Sequence, residues 1–159
     1  MTHSLKALAV ATFAALATVG PAMAQIAPPA ATAEEVAVRG LLINLTTDDT
    51  WAAAKAISFA HQRVLANGHP VAIWMNVRAV YLADTRRASH IPGPMAEAGT
   101  SIQDMLSGFM ADGGTVLMCA ACSGAAGLGL DDYIDGVEMG SWPVVESWLF
   151  NPNVTTLSW

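Results

Sequence analysis

Three short apolar runs, separated by stretches of helical period, constrain this chain more than any other feature. The runs are Gly40–Leu45, Val71–Met75 and Thr115–Met118, each the length of a buried strand. After the first, Thr46-Thr47-Asp48-Asp49 supplies N-cap residues and first-turn acids. Ala53, Ile57, Ala60 and Val64 then recur at helical spacing over about 51–67, and Asn67-Gly68 is a C-terminal stop. Before the third run, Thr100 or Ser101 caps a helix, with Gln103 or Asp104 as the returning partner. Ile102, Met105, Leu106, Phe109 and Met110 form its apolar stripe, and Gly113-Gly114 ends it. A last helix is expected near 142–150 and a terminal strand over Val154–Trp159. Strand, helix, strand, helix, strand is the order of an α/β protein with a parallel sheet and helices on both faces.

The intervening segments are less regular. Residues 76–99 show no clean period and contain Pro92 and Pro94, so they read as a long excursion with a short strand at Val80–Leu82. A glycine-rich turn follows Cys119, and a short amphipathic piece lies near 131–135. In a parallel sheet the loops leaving every strand emerge at one edge, and ligand sites of open α/β sheets lie there. Thr46–Asp49, the excursion and the segment Cys119–Gly127 should therefore be neighbours in space.

The N-terminus is not part of this pattern. Lys6, an apolar run from Ala7 to Val19, Gly20-Pro21 and Ala22-Met23-Ala24 have the order of an export signal, so residues 1–24 are expected to be removed. The run is short for a bilayer span, which needs about 20 apolar residues. Residues 25–38 read as a flexible mature N-terminus and 39–159 as one α/β domain. Without Lys6 the chain carries six basic and thirteen acidic residues, a formal charge of −7. That balance argues against nucleic acid and anionic membrane surfaces as partners. The predicted location is periplasmic or secreted.

The chemistry is expected at Cys119-Ala-Ala-Cys122, which holds both cysteines of the chain. A C-x-x-C after a strand can activate its first thiol, because turn amides donate to the sulfur and the thiolate is the nucleophile. The small residues Ser123-Gly-Ala-Ala-Gly127 let backbone N–H groups converge. Acids cut the other way: no Lys or Arg follows Arg87, and eight acidic residues do. The cations expected to share the sheet edge are Arg78, Arg86, Arg87 and His90, with Asp48 as a further supporting residue or simply an N-cap. Four readings of the pair stay open: a sulfur-handling or redox thiol pair, a static disulfide, a metal site completed from His61, His69, His90 or methionine, and inert thiols. The first is the working assignment, with Cys119 and Cys122 as catalytic residues and neither a cofactor nor a metal invoked.

In the order and spacing of its motifs the chain resembles the DsrE/DsrF-like family. The matching residues are the first strand with Thr46-Thr47-Asp48, the helix through Ala56-Ile-Ser-Phe-Ala60, and Asn67-Gly68-His69-Pro-Val71-Ala-Ile-Trp-Met-Asn76. They continue with Met105-Leu through Asp112-Gly-Gly, Val116-Leu-Met-Cys119-Ala-Ala-Cys122 and a turn at Gly136. The resemblance implies a three-layer α/β/α fold with a mostly parallel sheet of about five strands. It implies a homo-oligomer, a trimer or hexamer, that meets a sulfur donor or acceptor protein. It also implies a sulfurtransferase-like carrier cysteine that holds sulfur as a persulfide, a role that would fall on Cys119. Cys122 is this chain's own addition to that pattern, a resolving thiol that could discharge a persulfide or close a disulfide. The reading from a different class is a non-catalytic oligomeric module that holds a metal or small ligand, the cysteine pair then being a structural disulfide or a ligand set.

Overall fold

A computed structural model describes residues 38–87 and 100–159; the expected signal segment, nearly all of the flexible N-terminus and His90 lie outside the described residues. Five strands, β1 (Gly40–Leu45), β2 (Val71–Met75), β3 (Thr115–Cys119), β4 (Glu138–Gly140) and β5 (Val154–Ser158), form one sheet in the order β4-β3-β2-β1-β5. Every pairing is parallel, with Leu41 opposite Val71 and Thr155, and Ile73 opposite Val116. The helices are α1 (Thr50–Phe59), α2 (Ile102–Ala111), α3 (Ala120–Ala126) and α4 (Trp142–Leu149). The protein is a three-layer α/β/α fold.

Alternation along the strands divides the apolar residues between two layers. Ile43 and Leu45 of β1, Ile73 and Met75 of β2, and Val116 and Met118 of β3 face one way. They bury against Ala53 and Ile57 of α1 and Leu106 and Phe109 of α2. Leu42, Ala72 and Leu117 face the other way, against Val145 of α4. The inner strands are apolar on consecutive positions because both of their faces are covered.

Local chemistry sets the helix ends. Asp49 caps α1 by accepting the Ala52 N–H at 2.8 Å. Ser101 and Asp104 form a reciprocal capping box at the start of α2. The expected helix over 51–67 changes winding along its length: α-helix to Phe59, a π turn over Ala60–Val64 and a 3-10 turn over Leu65–Asn67. Gly68 then ends it with φ 84°, a conformation that favours glycine.

Three segments differ from the sequence reading. Val77–Ala83 is a 3-10 helix, not a strand at Val80–Leu82. Ala79, Val80, Leu82 and Ala83 are all buried, which is a helical pattern whose alanines an alternating reading passes over. The glycine-rich segment after Cys119 is the two-turn helix α3, closed by Gly127 at φ 70°. The short edge strand β4 has only three residues, too few to show a period.

Candidate functional site

The three segments leaving β1, β2 and β3 meet at the carboxyl edge of the sheet. The Asn76 N–H donates to the Leu45 carbonyl at 2.8 Å, and the Arg78 N–H to the Thr46 carbonyl at 3.2 Å. Cys119 is the last residue of β3 and the N-cap of α3, where its Sγ accepts the Cys122 N–H at 3.1 Å. One turn later Cys122 returns to the same edge. The two sulfurs stand at disulfide-bonding distance, with their Cα atoms 5.2 Å apart.

Their surroundings are unequal. Cys119 is 9% exposed, whereas Cys122 is half-buried and the more accessible. The Cys122 sulfur meets the Asn76–Val77 turn, lying 3.2 Å from the Val77 N–H, which donates to it, and 3.0 Å from Asn76 Oδ1. Asn76 is held from two sides: Oδ1 accepts the Val77 N–H at 2.9 Å, and Nδ2 donates to Asn44 Oδ1 at 3.2 Å. Asn44 belongs to β1, and its amide reaches Ser158 Oγ of β5 at 3.4 Å. A polar chain thus runs from the outer sulfur across three strands.

Val77 carries the backbone strain of the site. Its φ is 49°, and among the described residues it is the sole non-glycine with positive φ. A β-branched side chain resists that conformation, at a cost of order 1–3 kcal/mol, and such strain persists only where the surroundings over-determine it. Here the pinning contacts are the Asn76 side chain, Cys122 and the Arg78 amide on Thr46.

The expected cations have other partners. Arg78 binds Asp48 through two hydrogen bonds, 2.9 Å from Nε to Oδ1 and 2.6 Å from Nη2 to Oδ2. The N-cap role belongs to Asp49, so Asp48 is left for this ion pair, and the Arg78 guanidinium holds its carboxyl below the usual carboxylate range. Arg86 bridges Asp84 and Asp132, and Arg87 lies 4.3 Å above the Tyr81 ring. The hydrogen bonds that reach the sulfurs come from backbone amides, with Asn76 the side chain beside them. Asn76 and Val77 were not singled out in the sequence. The signal available there was an asparagine ending the second strand, at the edge where sites gather.

His61 pairs with Asp112 at 2.6 Å and meets the edge of the Phe109 ring, and His69 Nδ1 accepts the Arg39 N–H at 3.4 Å. Among the described residues no three His, Cys, Asp or Glu side chains cluster as metal ligands.

Behind the pair, α3 is anchored through a buried contact, Tyr133 Oη to Ser123 Oγ at 2.7 Å. Tyr133 also bridges to Asp84 through the backbone. Asp84 is buried, and the Arg86 guanidinium holds its carboxyl below the usual range. A carboxyl depressed by folding contributes stability above its unfolded value, near 4, that is lost as pH falls through the lower folded value. Urea titrations are therefore expected to show falling stability below about pH 4, and Asp84→Asn to flatten that slope.

The five-stranded parallel sheet with helices on both faces, and the cysteine pair at its carboxyl edge, define a three-layer α/β/α protein. Among solved structures, the ychN protein from E. coli is similar with TM-score 0.55 and 20% identity over 76% of this chain and 98% of that one. A protein of unknown function from Methanobacterium thermoautotrophicum, MTH1491, is similar with TM-score 0.57 and 14% identity, over the same shares of the two chains. The likeness is one of fold. No family model matches the chain, and no curated protein matches it.

Proposed function

We propose that this protein handles sulfur at the Cys119–Cys122 pair, relaying sulfane sulfur or exchanging thiol and disulfide, with Cys119 attacking and Cys122 resolving. One observation carries the reading: two sulfurs converge at the carboxyl edge of a parallel sheet, close enough to bond, each with its own amide donor. In the relay, the Cys119 thiolate attacks the outer sulfur of a persulfide donor R–S–SH. The donor's S–S bond breaks, a Cys119 persulfide forms, and R–S⁻ leaves and takes up a proton. An acceptor thiolate then removes that outer sulfur. Alternatively the Cys122 thiolate attacks Cys119 Sγ, closing the disulfide and releasing HS⁻. Reopening the disulfide needs two external thiols, which leave as their own disulfide.

In this proposal the mature chain starts at Gln25 in the periplasm or outside the cell. It acts there as a homo-oligomer that meets a sulfur donor or acceptor protein. The test is intact mass after reduction and incubation with a low-molecular-weight persulfide. A gain of one sulfur atom at Cys119, or conversion to the disulfide with release of sulfide, is the expected result. The burial of Cys119 favours a second reading, a structural disulfide in a non-catalytic oligomeric binding module. A pair that stays oxidised and inert toward thiols would establish that one instead.

A further inference from the structure

Access and hydrogen bonding favour different sulfurs in this pair. Cys122 is the more exposed, so access alone would make it the nucleophile. Its polar surroundings oppose that role. Asn76 Oδ1 lies 3.0 Å from Cys122 Sγ, and it must be the oxygen of that amide because the Val77 N–H, which can only donate, is 2.9 Å from it. The opposite end of the amide is committed to Asn44. An oxygen fixed in this way accepts a hydrogen bond from a thiol S–H and offers nothing to a thiolate. Hydrogen bonding to the neutral form of a group disfavours its ionisation. Both sulfurs receive a backbone N–H, which favours the charged form, so the difference between them is the acceptor oxygen of Asn76, which stands against Cys122 and not against Cys119.

We propose that Asn76 is a positioning residue that keeps Cys122 as the protonated member of the reduced pair, leaving Cys119 to carry the charge. The inference rests on the thiol-exchange reading and adds what sets the order of the two cysteines. When two external thiols open the bond, two electrons and two protons enter. One proton goes to Cys122 Sγ and is held against Asn76 Oδ1, and the other is shared between Cys119 and solvent. When the bond closes again, the Cys122 proton passes through solvent to the departing thiolate or sulfide, and the Val77 N–H is the group that remains to serve the Cys122 sulfur. The left-handed backbone at Val77 aims that N–H, so the two-residue turn offers Cys122 an acceptor when it is a thiol and a donor when it is not.

The test uses the full chain carrying Cys119→Ser, in which Cys122 is the single thiol, and follows its alkylation rate by iodoacetamide from pH 6 to 10. Asn76→Ala removes the acceptor and is expected to raise the rate at pH 7.5 by roughly three- to tenfold, with the profile moving to lower pH. Asn76→Asp has the same shape, keeps an acceptor and adds a negative charge. It is expected to move the profile the opposite way, which a loss of folding or of packing would not do. Profiles that coincide, or that move in the same direction, overturn the proposal. The exchange reading is tested separately by sulfur uptake with both cysteines present. Uptake without a response to Asn76 sinks this inference alone. A response to Asn76 without uptake sinks the exchange reading and leaves the hold of Asn76 on Cys122 standing.

Discussion

Replacing Cys119 by serine is expected to abolish sulfur uptake and thiol exchange, a loss of at least about a thousandfold in rate. The hydroxyl lacks the accessible anion that makes a thiolate the nucleophile at neutral pH. Cys122→Ser should behave differently. The backbone N–H of position 122 remains and still donates to Cys119 Sγ, so the attacking sulfur keeps its amide. Without a resolving thiol the Cys119 persulfide or mixed disulfide is expected to accumulate rather than discharge. Intact mass after reaction with a persulfide, followed by a reducing wash, separates the outcomes. The roles are reversed if Cys122→Ser is the unreactive variant and Cys119→Ser traps the adduct.

The largest effects on stability are expected where α2 turns into β3. Phe109 is fully buried against the sheet, and its ring lies so close to Gly114 that a Cβ at that position would collide with the outer edge of the ring. The Gly114 N–H also donates to the Phe109 carbonyl at 2.9 Å, which fixes the backbone around the ring. Gly114→Ala should therefore destabilise by about 1–3 kcal/mol through overpacking, and Phe109→Ala by about 3–5 kcal/mol through loss of burial and a residual cavity. The double variant should cost less than the two singles together, because the small side chain removes what the new methyl strikes. Urea denaturation of the four proteins measures this coupling. Simple additivity would mean that the ring does not rest on the glycine.

Gly114 also shows what could and could not be read in advance. As the second residue of Gly113-Gly114 it marked the end of α2, and the helix ends there. Its closeness to Phe109, five residues earlier, is a packing fact with no local signature. The strands β1, β2 and β3 stood out because both faces of each are buried, which writes a continuous apolar run. β4 did not, since three residues against one neighbour leave no such trace. Around the cysteines, the pairing of Cys119 with an amide of the following turn was legible in the C-x-x-C spacing. The cations were expected by proximity to the edge, but charge alone did not tell where they go. Asp48, Asp84 and Asp132 are nearer partners for Arg78 and Arg86, and that depends on tertiary placement. Asn76 could not be assigned because its role requires Asn44 and Cys122, respectively 32 and 46 positions away.

The spacing of the two cysteines, three positions apart, has a further consequence. A crosslink that closes so small a ring removes little freedom from the unfolded chain. By the loop-entropy relation it is worth only about 2 kcal/mol, against nearly 5 kcal/mol for a ring of a hundred residues. Such a clasp is a weak staple. The fold rests on its sheet and its two apolar layers, so reducing the bond is expected to leave the scaffold around it standing.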